Sequence, residues 1–154
     1  MNNKSKEEAL SFLMSQKGGV ISTVSDASPE SAYVFYDADE DFSVYFVTVL
    51  DSRKHLNIQK NNNVSFVVSS VNPPQTVQIQ GEAFVVEDKE VLKNALANYI
   101  DIATYQMKNK APLTKMNIDE GMVVYKIDPN WVRWSDYSDA KDGENSIVLI
   151  DSNN

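Results

Sequence analysis

At 154 residues, with 42% hydrophobic content and no cysteine, the chain is sized for one domain whose core is held by packing and not by disulfides. Acidic residues outnumber basic ones 22 to 14, a formal charge of −8 that argues against nucleic acid as a partner, because such binding depends on many Lys and Arg contacts to phosphates. A single histidine and the lack of cysteine rule out multi-histidine and thiolate metal sites within one chain; no apolar run approaches the roughly 20 residues that cross a bilayer, and MNNKSKEEAL has no signal-peptide core, so the expectation is a cytoplasmic protein without a metal or a membrane partner.

In chain order, Ser5 to Ser15 reads as a helix: Ser5 and Glu8 have capping-box spacing, Ala9, Leu10, Phe12 and Leu13 form an apolar stripe, and Gly18-Gly19 ends it. Val20 to Ser25 and Ser31 to Tyr36 read as strands joined by the turn Asp26-Ala27-Ser28-Pro29, followed by an acidic turn at Asp37 to Asp41 and a β-branched, aromatic strand at Val44 to Thr48. Asp51 or Ser52 then caps a helix that opens on Ser52-Arg53-Lys54 and stops at Asn61-Asn62-Asn63. Val64 to Ser70 and Thr76 to Val86 are the next strands, the second carrying Gly81 as a bulge or barrel corner. Asp88 caps a helix through about Tyr99, Ile100 to Gly121 is a short helix or an ordered loop, Met122 to Ile127 is a strand, Pro129 interrupts, and Trp131 to Ser135 is a short final strand. Residues 1–135 form the domain expected from this pattern, and 136–154 a polar, acidic tail apart from Ile147 to Ile150.

Strands in sequential runs, with helices inserted but no βαβ alternation and neither GxGxxG nor GxxxxGK[ST], point to a mainly β fold: an antiparallel barrel with helices covering it. The chemistry concentrates at Ser52-Arg53-Lys54. A helix start with free N–H groups, a hydroxyl, a guanidinium and an ammonium within three residues is an anion site, and in a chain of net negative charge such a site acts locally against the mean field. The competing reading is that Arg53 and Lys54 solvate the first turn of a surface helix. His55, the one histidine, reads as a surface or interface residue, and Asp37, Asp39, Glu40 and Asp41, without the glycine and terminal glutamate of an EF-hand, read as a solvated turn and not a calcium site.

Phe46-Val47-Thr48, Ser52-Arg53-Lys54, Leu56, the Asn triplet, Val64 to Val68 and Thr76-Val77-Gln78-Ile79-Gln80-Gly81, in that order, resemble the pyridoxamine 5'-phosphate oxidase-like family of FMN-binding split barrels, and within it the general-stress-protein branch. The resemblance covers residues 6–135. It implies a six-stranded antiparallel split β-barrel that dimerises with FMN in a groove between subunits, the FMN phosphate on Ser52, Arg53 and Lys54, and Val47, Thr48 and Val49 against the flavin. Tyr33, Phe35, Val49, Thr76 and Trp131 or Trp134 are the candidates for lining the ring. Pro129-Asn130-Trp131-Val132-Arg133-Trp134 resembles the family's closing segment, which implies that Arg133 and its tryptophans reach the neighbouring subunit's cofactor; the competing reading packs Trp131 and Trp134 in core or interface.

Two departures mark the chain. Where the oxidase proper has phosphate-gripping cations on its second strand, this sequence has Ala32-Tyr33-Val34-Phe35-Tyr36, and where the family has Arg-Gln-Val it has Gln75-Thr76-Val77. The expectation is therefore a flavin-dependent oxidoreductase or a non-catalytic flavin- or haem-binding stress module, with FAD, a deazaflavin or haem as alternatives to FMN, a small-molecule substrate or electron donor, and no pyridoxamine phosphate oxidation. No catalytic side chain is singled out, since a flavin carries the redox chemistry itself.

Overall fold

The alternation of apolar and polar residues closes into an antiparallel barrel in a computed structural model, which describes residues 3–106, 121–138 and 146–152. Helix α1 (Asn3–Ser15) precedes strands β1 (Gly18–Ser25), β2 (Ser28–Ala38) and β3 (Val44–Val49); helix α2 (Arg53–Lys60) precedes β4 (Asn63–Val71) and β5 (Pro74–Val85); helix α3 (Lys89–Gln106) is followed by β6 (Met122–Asp136) and β7 (Ser146–Asp151). The sheet runs β3-β2-β1-β4-β5-β6-β7, and β3 also pairs with β6, so six strands close on themselves and β7 is added outside the closure. Strand β3 pairs with β6 along Val44 to Val49 but with β2 only along Val44 to Phe46, so β2 and β3 part at Val47 to Val49, just before the anion-site tripeptide. No described helix is long and apolar enough to cross a membrane.

Inward positions of every barrel strand carry the core: Ile21, Val34, Phe46, Phe66, Ile79 and Tyr125 are all buried. Helix α1 lays Ala9, Phe12 and Leu13 onto it, each large side chain contributing about 1.5–3 kcal/mol by leaving water. The buried Tyr36 hydroxyl donates to the Leu13 carbonyl oxygen at 2.5 Å, and the Phe12 and Trp134 rings meet at 5.4 Å, tying helix to barrel from two strands.

Several sequence expectations need correction. The β1–β2 hairpin is tighter than the turn expected at Asp26 to Pro29: Ser25 pairs with Ser28, which leaves only Asp26-Ala27 to turn the chain, with Asp26 at φ 52°, a conformation that aspartate tolerates. Strand β2 therefore starts three residues before Ser31 and includes Glu30. Helix α3 runs past Tyr99 to Gln106, and the rest of the Ile100 to Gly121 stretch, 107–120, lies outside the described residues. The tail expected from Asp136 holds a strand: Leu149 reaches the core and β7 pairs along Trp131 to Ser135, because Ile147 to Ile150 supplies an apolar run next to an otherwise exposed edge.

Pro129 does not divide β6, which is continuous from Met122 to Asp136. A proline lacks a ladder N–H, and the chain absorbs it opposite Gly81, where the β5–β6 register shifts. A Cβ on Gly81 would stand 2.2 Å from the Asp128 carbonyl oxygen, so only glycine lets the two backbones approach there. Gly81→Ala should cost about 1–3 kcal/mol, read as a lowered denaturant midpoint with an unchanged slope; a wild-type midpoint would show that β5 and β6 do not approach at this bulge.

Candidate functional site

Strand β3 carries Val47, Thr48 and Val49 to the start of α2, and there the hydroxyl oxygens of Thr48 and Ser52 lie 2.9 Å apart. Ser52, and not Asp51, is the cap: at φ −71° and ψ 148° its Oγ accepts from the His55 N–H at 3.3 Å. Arg53 and Lys54 follow on the first turn and diverge. Arg53 is 81% exposed and ion-paired with Glu30, whereas among the described residues Lys54 has no ion-pair partner and lines two adjoining clefts.

The first cleft, about 240 Å³, is walled by Tyr33, Val34 and Phe35 of β2, Val47, Thr48 and Val49 of β3, Lys54, Tyr99 of α3 and Met122 of β6. The Tyr33 and Phe35 rings meet edge to face at 5.8 Å, and Phe35 and Tyr99 lie 6.4 Å apart, so the lining combines an aromatic cluster with Lys54 and the buried Thr48. Such a cleft suits a flat apolar ring system bearing an anionic tail. It falls short of the roughly 300–1,000 Å³ usual for a ligand pocket, and Tyr33 at its rim remains 65% exposed.

The second cleft, about 280 Å³, is lined by Thr23, Glu30, Ser31, Ala32, Arg53 and Lys54. Glu30 accepts from Arg53 through one carboxylate oxygen and from Asn57 Nδ2, at 3.0 Å, through the other; the same Asn57 nitrogen lies 3.0 Å from the buried Thr23 Oγ1. The Arg53 hydrogen bond, and next that of Asn57, holds the Glu30 carboxyl below its ordinary range. Sequence reasoning missed Glu30, Asn57, Thr23, Tyr99 and Met122, because nothing in local spacing links residues that meet across 27 and 34 positions.

The remaining candidates lie elsewhere in the chain. Thr76, Trp131, Arg133 and Trp134 sit on β5 and the far half of β6, whose near half pairs with β3: Met122 faces Val49, and Trp131 lies about 30 Å further along the strand. Trp134 is 4% exposed and packs against Phe12 in the core, so it does not flank Arg133 in a stack. Trp131 and Arg133, half-buried, point to the opposite face, where Gln80 and Gln78 are their cross-strand neighbours.

His55 is not on the surface. It is 5% exposed, shares the inward face of α2 with Ile58, and its Nδ1 lies 2.8 Å from the Tyr125 hydroxyl. The acidic turn is ordered by its own carboxylate: Asp39 Oδ1 accepts from the Asp41 and Ser43 N–H groups at 3.0 Å each, and Oδ2 accepts from the Tyr45 hydroxyl at 3.0 Å. Among the described residues no group of His, Cys, Asp and Glu is arranged to hold a metal ion.

Residues 5–135 match the family model described as pyridoxamine 5'-phosphate oxidase. Among solved structures, general stress protein 26 from Bacillus anthracis str. Sterne is 24% identical, with 84% of this chain and 92% of that chain covered and a TM-score of 0.64. A heme binding protein from Mycobacterium smegmatis is 17% identical over 95% of this chain and 57% of that one, TM-score 0.68, and a FAD-binding protein from Mesorhizobium loti is 16% identical over 82% and 88%, TM-score 0.64. No curated protein matches the sequence.

Proposed function

This chain belongs to the pyridoxamine 5'-phosphate oxidase family, and we propose that it is a flavin-binding, oxidoreductase-like member that holds FMN in the β2–β3 cleft of a homodimer. The observation that carries the reading is the cleft itself: its lining joins the aromatic Tyr33, Phe35 and Tyr99 with Lys54, which has no ion-pair partner among the described residues, and with Thr48, whose hydroxyl lies 2.9 Å from that of Ser52 at the helix start. Lys54 and Ser52 hold the phosphate, Tyr33 and Phe35 border the ring, and Val47 and Val49 keep water from it. The bound flavin supplies the electron transfer, and the chain supplies position and a dry wall.

A second copy completes the site. Ser65, Val67, Thr76, Gln78, Gln80 and Trp131 alternate with core residues on β4, β5 and β6, which gives a chain of charge −8 an outward patch that carries Arg133 and no carboxylate until Glu82 and Asp128 at its end. Such a face suits burial against another copy. Because Trp131 and Arg133 lie so far from Thr48 within one chain, their contribution to a cofactor is to the partner's. Haem is disfavoured as the ligand, since the one histidine is buried against Tyr125 and is not in the cleft.

The purified protein should be yellow, with flavin absorbance bands, and acid precipitation should release FMN identifiable by mass spectrometry. NADH or NADPH oxidation above that of free flavin identifies turnover, and flavin retention without it identifies a storage or sensing module of the same fold. A colourless protein that takes up no FMN on dialysis and keeps its melting temperature in excess FMN would refute the reading.

A further inference from the structure

We propose that Glu30 is an internal anion that occupies Arg53 beside Lys54 and lowers the affinity of the chain for the terminal phosphate of a flavin, leaving its affinity for the ring system itself unchanged. The inference rests on the flavin reading above. Glu30, Arg53 and Lys54 line a single cleft, and Lys54 is shared with the aromatic one, so a phosphate brought to Lys54 enters the field of a carboxylate already in place.

The carboxylate is not a loose surface partner. One oxygen takes the Arg53 guanidinium; the other takes Asn57 Nδ2, and Asn57 is itself 5% exposed and fixed by Thr23. The donors that a phosphate oxygen would seek on this side are thus already engaged by an anion of the chain's own. An ion pair with its arginine 81% exposed contributes little to stability, so the main consequence of the arrangement is electrostatic. The tripeptide then offers an incoming phosphate one available ammonium and not two cations, which is a difference in affinity for charge and not for the ring.

The opposite role, in which Glu30 orients Arg53 to receive the phosphate, has the opposite sign and is separated by the same measurement. FMN and riboflavin are titrated into the full-length protein at one ionic strength, followed by flavin fluorescence, for wild type and Glu30→Gln. Glutamine keeps the shape and an oxygen for Asn57 while removing the charge. The expected result is an FMN dissociation constant lowered on the order of ten-fold with the riboflavin value unchanged. An equal shift for both ligands, no shift, or weakened FMN binding overturns the proposal while leaving flavin binding intact. If neither protein binds either ligand, the flavin reading fails and this inference with it. Glu30→Ala, checked for native circular dichroism, provides the same comparison should the glutamine variant not fold, since Asn57 retains Thr23.

Discussion

Lys54→Ala should weaken FMN binding on the order of 100-fold, the largest ligand effect of any single side chain in the site. Lys54 is half-buried, lines both clefts and, among the described residues, has no carboxylate partner, so its hydrogen bond to a phosphate is charge-assisted and formed without first breaking another ion pair. A loss of about 1.5–3 kcal/mol is the usual cost of removing such a bond. Arg53→Ala should cost only a few-fold, because that guanidinium faces solvent and is already engaged by Glu30. Fluorescence titration of the two variants ranks them directly. The reverse order, with Arg53 dominant, would mean that the phosphate displaces Glu30 from its arginine and that Lys54 is a bystander.

Trp134→Ala should lower stability by about 3–5 kcal/mol, which for a chain of this size is a fall in melting temperature of roughly 10 °C. The indole is 4% exposed, meets Phe12 at 5.4 Å and lies opposite Val77 of β5, so its removal leaves a void between α1 and the barrel that the closed sheet cannot collapse to fill. Measured well below the lowered melting temperature, FMN affinity should be unchanged. Trp131→Ala should do the reverse, sparing the melting temperature and weakening FMN binding, since Trp131 faces outward with Arg133. If Trp134→Ala melts as wild type does but fails to bind flavin, the indole belongs to the ligand and the α1 packing described above is wrong.

Both results turn on one strand segment, Trp131 to Trp134, in which neighbouring side chains serve opposite faces. The sequence shows two tryptophans around an arginine and suggests that all three act together. Strand alternation separates them: Trp134 goes to the core, Trp131 and Arg133 to the outer surface. His55 is buried, against the expectation of a surface or interface residue, for a related reason. Its position on α2 is visible in the sequence, but which face of a short helix is buried depends on what lies beneath it, here Tyr125 from a strand 70 residues away. The acidic turn shows the converse, since its order comes from Asp39 accepting from neighbours within six residues, and local contacts of that kind are the ones a sequence reports.

By itself the sequence determined the strand alternation, a helix start at Asp51 or Ser52 and the gathering of hydroxyl and cationic groups at Ser52-Arg53-Lys54, because each depends on residues within a few positions of one another. Only the tertiary structure decided which of the two cations is available. The hairpin brings Glu30 to Arg53 across 23 residues and leaves Lys54 facing the cleft, and no local pattern encodes that choice, because it arises from the register of β1 on β2 and the docking of α2 against them.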